Sequence, residues 1–412
     1  MKLKNRFLLI GLGLIIFLLV TPLLILFARG FKYDFEHGHL VKTGTLVVET
    51  QPSRAQVIID GKLQKSLTPE SFRFLMPQDY TITIKKDNYQ DWTKRLSVKP
   101  QLVTWTNLNR DFIALFYKQP KFINTITSSV ASLSSDKKEL VFIESEKIGA
   151  LNLEKDRKEL LGDATNLDVT LDFPLAWTNG KKIYGFFKDF SASNLNLKTN
   201  QITSATTNGT HTLIQVNNSL YHLIGATPHL LSNVKSYILD GDYAWYIRNN
   251  ELIKQDLFTS KTEVIRKDIP AHNNSQIIMA EGQIFLILDG SLYKISEKIE
   301  KVYGNATTAS WDKKSQQLLI ANQNEILLLD SGSLNPVLVL RSLSLISSPQ
   351  LNFVAGYIFF QNEGKIKAIE IDGRDHRNIY TVAEALDQFA VSESGNMLYV
   401  FNKEEINAYE IR

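Results

Sequence analysis

The 412-residue chain contains no cysteine. Disulfides, thiolate metal sites and cysteine nucleophiles are excluded, so whatever folds the chain builds must hold by packing alone. Catalytic signatures are missing as well. There is no Gly-x-Ser-x-Gly elbow, and no His-Glu-x-x-His, phosphate-cradling glycine loop or acidic calcium loop. A Ser-x-Asp-x-Gly-x-Thr-Trp aspartate box is also absent. The seven histidines are scattered at 37, 39, 211, 222, 229, 272 and 376, and the close pair His37-Gly38-His39 reads as a hairpin turn, not a metal site. Asp60, Asp87 and Asp91 sit at turns, where acids serve the backbone. Neither half carries a dense Lys/Arg stripe with interleaved aromatics, so no nucleic-acid partner is expected. No cofactor, no metal and no enzymatic activity are expected from these residues.

What the chain does have is one long apolar run, residues 7–28, without a charge. About 20 apolar helical residues cross a bilayer, so the run reads as a membrane span and the lipid bilayer as a partner. Lys2, Lys4 and Arg6 precede it with no acid, whereas Arg29 and Lys32 are soon offset by Asp34 and Glu36. The positive-inside rule then keeps the N-terminus cytoplasmic and puts the bulk outside. A cleaved signal peptide has a shorter apolar region and a small-residue cleavage site. Phe27-Ala28-Arg29-Gly30 supplies no such site, so an uncleaved signal anchor is expected.

Charge is unevenly spread. Up to Lys121 there are 18 Lys and Arg against 9 Asp and Glu; beyond it, 28 against 34. Most of this reads as solvated surface. The sharper expectation is a basic face of Lys62, Lys65, Lys85, Lys86, Lys94 and Arg95 that contacts anionic headgroups or wall polymer.

After a neck at 31–43, residues 44–117 alternate apolar and polar at the strand period of two. TLVVETQ, AQVIIDG, SFRFLMP, YTITIKK, DWTKRLSV and LVTWTNLN are separated by turn residues. Six short strands predict a small β-sandwich. Within it, Pro52 and Ala55 begin a turn, Asp60-Gly61 forms a hairpin, and Thr68-Pro69 makes a step. Pro77 and Tyr80 mark another turn, and Tyr89 and Trp92 close the series. That order resembles the PEGA domain. The resemblance implies a structural role for these ten residues, in an extracytoplasmic spacer or binding module. This chain departs from the family's glycines at Arg54, Gln78 and Asn88.

From 121 to 412 a turn, a hydrophobic strand, a loop and a second strand recur, with copies beginning at Ser134, Thr178, Thr207, Leu239, Met279, Trp311, Phe353 and Ser392. The spacing is close to the ~40–45 residues of a four-stranded propeller blade. RKELLG, NQITS, PHLLS, TEVIR, IEKVYG, PVLVLR and HRNIYTV read as outermost strands. The eighth is missing, and Phe122 to Ile126 can supply it, closing the ring and hiding a sheet edge. Eight blades are expected, with seven the alternative. The turns at Ser134 and Ser392 resemble the Ser-Pro-Asp-Gly turn of Tol-type and WD-like propellers. Trp177, Trp245 and Trp311 read as core packing, with an aromatic groove as the other option. Asp372-Gly373-Arg374-Asp375-His376-Arg377 reads as an exposed loop that could contact a partner.

The fold class is therefore mainly β: residues 1–30 a cytoplasmic tip and transmembrane anchor, then the neck, the PEGA-like sandwich and the propeller. The function that follows is a membrane-anchored extracytoplasmic binding or scaffold protein whose partner is an envelope polymer or protein. Two alternatives stay open. One is a propeller hydrolase or lyase acting on cell-wall glycan or peptide, with acids drawn from different blades. The other is an envelope assembly or signalling factor.

Overall fold

Among the described residues the apolar run is left almost wholly uncovered by the rest of the chain. In the computed structural model it forms one helix, α1 (Leu3–Ala28), with Pro22 inside it and no buried residue over Gly11–Ala28. The structure describes residues 3–35, 38–108, 112–128, 131–133, 139–145, 147–163, 178–179, 182–183, 202–208, 210–224, 227–384, 388–402 and 404–412. Two compact units divide the chain. The first holds residues 1–118, 370–380 and Arg412; the second holds 119–369 and 381–411.

In the first unit, α1 leads into a hairpin of β1 (Phe31–Asp34) and β2 (His39–Lys42). The hairpin's ends are tied, because Thr43 donates both its amide and its hydroxyl to the carbonyl of Gly30, at 2.8 and 2.7 Å. Next come β3 (Gly44–Val48), β4 (Thr50–Gln51), β5 (Gln56–Ile59), β6 (Lys62–Leu67), β7 (Glu70–Leu75), β8 (Asp79–Lys85), β9 (Trp92–Ser97), β10 (Val103–Trp105) and β11 (Ile113–Ala114). They form the expected sandwich, one sheet in the order β6-β5-β8-β9 and the other β10-β3-β7, with β4 and β11 paired beside them. Period-two burial builds its core: Val57, Ile59, Tyr80, Ile82, Ile84, Trp92 and Leu96 from one sheet meet Leu46 and Val48 from the other. The strand β6 was not foreseen. It is an edge strand with no buried residue, so its sequence carries no alternation.

The residues that carry the PEGA resemblance hold this unit together. Asp60 and Gly61 take φ of 47° and 76°, the left-handed pair a tight hairpin needs. Ala55 is fully buried, and its amide donates to the Thr68 hydroxyl at 2.9 Å. The Tyr80 hydroxyl donates to the Met76 carbonyl, Tyr89 stacks on Tyr117, and Trp92 is fully buried. At two of the three positions where the family favours glycine, Arg54 and Asn88 adopt φ of 63° and 68°. The chain keeps the left-handed backbone there without the glycine.

The second unit is a β-propeller built of antiparallel meanders. Seven four-stranded sheets of this unit occur among the described residues. Six are continuous in sequence, starting at Ala131, Ile202, Tyr237, Ser275, Thr308 and Ile346. Consecutive sheets bury one another's faces: Leu213 and Leu220 pack on Ala244 and Tyr246, Trp245 and Ile247 on Ile284 and Leu286, and Phe285 and Ile287 on Leu318 and Ile320. The seventh joins the strands Gln388–Val391, Met397–Phe401 and Glu405–Glu410 to β12 (Lys121–Thr127). As expected, residues from before the first sheet complete the last one, with Thr125 opposite Asn407 and Ile126 opposite Ile406. One core then unites the two ends of the repeat, Ile126, Phe401 and Ile406 with Leu140 and Phe142.

One expectation needs adjustment. NQITS is not the outermost strand of the second copy: Ile202–Thr207 is instead the first strand of the next sheet, paired with Thr212–Val216. The second copy lies outside the described residues apart from the pair Thr178–Asn179 and Lys182–Ile183, so the blade count turns on residues not described. The turn at Ser134–Lys138, Trp177 and His37 also lie outside them. The equivalent turn at Ser392 is described. There Gly395 has φ of 72°, and a Cβ on it would meet the Cβ of Ala355 at 2.6 Å, so glycine is required.

Candidate functional site

Strand β9 places Trp92, Lys94 and Leu96 opposite Ile84, Ile82 and Tyr80, on the face turned to the core. Lys94 consequently has no exposed surface. A buried ammonium survives only when paired and hydrogen-bonded. Segment 370–380 of the same unit supplies the partners. Nζ of Lys94 lies 2.9 Å from Glu370 Oε2 and 3.6 Å from Asp372 Oδ2, and donates to the Asp372 carbonyl at 2.8 Å. The Trp92 indole donates to the other Glu370 oxygen at 3.1 Å, and the Asn378 amide adds a further bond to Glu370 at 2.9 Å. Arg374 forks onto Asp372 and also donates to the carbonyls of Trp105 and Thr106, at 2.9 and 3.0 Å. Burial pushes the Asp372 carboxyl up, but the Arg374 hydrogen bonds and the Lys94 charge outweigh it, and its pKa ends below the ordinary value.

The same segment closes the free edge of β9. The Arg95 amide donates to Asp375 Oδ2 at 2.9 Å, Asn378 donates to the Thr93 carbonyl at 3.2 Å, and the Tyr380 hydroxyl to the Asp91 carbonyl at 3.2 Å. Gly373, Arg374, Asp375 and His376 are exposed, as read, whereas Asp372 is buried and the segment's carboxylates are engaged within this unit.

Beside this cluster opens a cleft of about 880 Å³. Leu102, Val103 and Trp105 form an apolar strip along the outer edge of β10, with Trp105 45% exposed. Facing it are Lys99, Ser97 and the Arg95–Asp79 pair, in which Nη2 lies 2.8 Å from Oδ2. Hydrogen bonds from Ser97 and then Arg95 hold the Asp79 carboxyl below its usual range. An apolar strip opposite a polar rim suits an extended ligand with one apolar face and one hydrogen-bonding face, such as a glycan or a peptide strand. Sequence reasoning placed Trp105 on a strand but missed the cleft, because its lining is completed by Arg374 and Asp375, far away in the chain from residues 79–108.

The expected basic face is not one surface. Lys94 is removed from it by burial, as its register on the core face of β9 requires. Lys85 pairs with Asp91 at 3.1 Å, Arg95 pairs with Asp79, and Lys86 donates to the Ser53 and Arg54 carbonyls. Lys62 and Lys65, both on β6, are exposed and in no ion pair among the described residues.

In the second unit the tryptophans pack as read: Trp245 is buried in a core cluster and Trp311 packs against another. The titratable groups there form closed local sets. Glu325 accepts from Tyr303, Asn322 and Arg341. Burial and then Glu325 push the Tyr303 hydroxyl up to about 12. Burial raises Asp156, which accepts from Tyr399 at 3.2 Å. His211 and His222 meet at 3.0 Å, and burial, followed by the neighbouring His211 and His229, pushes His222 down to about 4. No group of three or more metal-ligating side chains is placed to hold an ion among the described residues.

Comparison with known families decides one point. Residues 43–111 match the PEGA domain model. The sandwich is a PEGA domain. No curated protein sequence matches the chain. Among solved structures, the chain is similar to the extracellular domain of BT4673 of B. thetaiotaomicron, described as a hybrid two-component system, at 12% identity and a TM-score of 0.43 over 71% of this chain and 39% of that one. It is also similar to PorZ, a bacterial surface component of the type-IX secretion system of Porphyromonas gingivalis, at 12% identity and 0.38 over 87% and 41%. A chain of the Mitotic Checkpoint Complex matches at 10% identity and 0.44 over 74% and 98%. The chain thus spans about two fifths of the first two proteins.

Proposed function

We propose that the protein is a membrane-anchored extracytoplasmic binding and scaffold protein. Helix α1 holds it in the bilayer, and the PEGA domain and propeller present binding surfaces to an envelope polymer or protein. The observation that carries this reading is the uncovered apolar surface of α1 over Gly11–Ala28, continuous with a PEGA domain that starts where Thr43 is bound to Gly30. Such a surface needs lipid. The positive residues ahead of the apolar run, Lys2, Lys4 and Arg6, argue for an outward-facing bulk. The cleft along Trp105 supports binding without turnover: it offers shape, an apolar strip and hydrogen-bonding groups, while its one lined acid pair, Asp79 and Asp375, is engaged by Arg95. Protease added to spheroplasts should digest the chain beyond Gly30 and spare α1. Full protection of the propeller would overturn the orientation, and reproducible turnover of a wall glycan or peptide would overturn the binding role.

A further inference from the structure

Just beyond α1, the PEGA domain exposes the two adjacent sheet edges β6 and β7. They are not ordinary polar edges. Leu63 and Leu67 on β6 are 62% and 42% exposed, and Phe74 on β7 is 41% exposed. Lys62, Lys65 and Arg73 alternate with them and are exposed too. The acids near this surface are Asp60 at the β5–β6 turn, whose carboxylate accepts the Thr81 amide, and Glu70, whose carboxylate accepts the Ser71 amide.

Three observations fix where this edge lies. The ring of Phe74 stacks on Phe27, in the last turn of α1, with centroids 5.0 Å apart and planes 19° from parallel. That contact is built by a distortion. β7 bulges between the pairs Gly44–Leu75 and Leu46–Phe72, and Phe74 itself has φ of 60°, costly for an aromatic residue. A bulge re-aims a side chain, and here it turns Phe74 out of the sheet onto the helix. Finally, the Thr43–Gly30 bonds leave no slack between helix and domain.

We infer that the β6–β7 edge is a lipid-contacting surface, seated on the anionic headgroups of the leaflet from which α1 emerges. The inference rests on the reading of α1 as a span. If Phe27 ends the span, then Phe74 lies at the same depth, at the boundary of the hydrocarbon. Leu63 and Leu67 enter the headgroup layer beside it, as apolar faces of interfacial elements do, while the adjoining cations meet lipid phosphates. The β1–β2 hairpin, also at the helix exit, exposes Tyr33 and Phe35, 46% and 90%, and aromatic rings favour this layer. Lys62 and Lys65 are in no ion pair with protein acids among the described residues, and in this arrangement lipid phosphate pairs them.

The absence of native cysteine makes the test direct. Full-length protein carrying Leu63→Cys or Leu67→Cys, labelled with an environment-sensitive fluorophore, is reconstituted into phosphatidylcholine vesicles containing phosphatidylglycerol and a spin-labelled quencher lipid. Leu18→Cys in α1 and Leu343→Cys in the propeller serve as references. Labels at 63 and 67 should be quenched nearly as strongly as at 18, and far more than at 343. Adding Lys62→Gln, Lys65→Gln and Arg73→Gln should weaken the docking equilibrium of the edge by up to about fivefold per cation removed, read as lower quenching at 63 and 67. Quenching at 18 with none at 63 and 67 would overturn the lipid-contacting edge and leave the anchor standing. No quenching at 18 would overturn both. Quenching at 63 unchanged by the triple substitution and by omission of phosphatidylglycerol would also overturn it, since the anionic headgroup is the occupant named.

Discussion

A lysine with no exposed surface stands or falls with its counterions. Removing one member of a buried pair costs about 3–5 kcal/mol because a charge is left without compensation. Lys94→Met should therefore strand Glu370 and Asp372 and release segment 370–380 from β9. Lys62→Gln, at an exposed site without an ion pair, should change stability by less than about 0.5 kcal/mol. Hydrogen exchange of peptides covering 370–380 reads this directly. Exchange in Lys94→Met as slow as in the unaltered chain would remove the cluster from the stability of the unit. Part of this was open to the sequence. Trp92, Lys94, Leu96 and Val98 share one parity of a strand, and the hydrophobic members say which face is inside, so charge should have yielded to register. Glu370 and Asp372 could not be found that way, because nothing local ties them to a strand 278 residues earlier in the chain.

Strands with one buried face announce themselves, and strands without one do not. The core strands of the sandwich and the repeated inner strands of the propeller alternate cleanly, and both were legible. The edge strand β6 has no core to alternate against, and Ile202–Thr207, rich in Ser and Thr, carries no hydrophobic alternation in its sequence to assign it to its sheet. The join of β12 to the last sheet was legible only because the repeat ended one strand short. That join makes a sharp prediction at the level of the strand. Ile126 is 6% exposed and sits in the core shared by the first and last sheets, whereas Ile123 on the same strand is 45% exposed. Ile126→Asp should destabilise the propeller by more than about 3 kcal/mol by burying an unpaired carboxylate, and Ile123→Asp by a small fraction of that. Thermal unfolding of the two variants distinguishes them; equal losses would place the closure of the ring elsewhere.

Across the whole molecule, the two units should answer acid differently, because different groups are held away from their ordinary protonation. In the second unit, buried His222 has a folded pKa of about 4 against 6.5 when unfolded. Between those values the unfolded chain binds more protons than the folded one, so folding stability falls as pH falls from 6.5 towards 4 and then levels off. The full effect is on the order of 3 kcal/mol. Asp156, held up by burial, works the other way, favouring the folded state once it takes its proton. In the first unit the displaced groups are carboxyls, Asp372 and Asp79, both lowered from 3.8. Their contribution is complete above the unfolded value and is lost only as pH drops below it through the folded values. Acidification should thus loosen the propeller first, between pH 6.5 and 4, and the PEGA unit with segment 370–380 only below about 4. Peptide-level hydrogen exchange of the full-length protein across this range, corrected for the intrinsic rate, measures both units in one sample. His222→Gln should flatten the propeller's response above pH 4 and leave the first unit unchanged. If propeller protection is already flat from pH 6.5 to 4 in the unaltered chain, or if the first unit opens before it, then the buried histidine does not set the acid tolerance of the molecule.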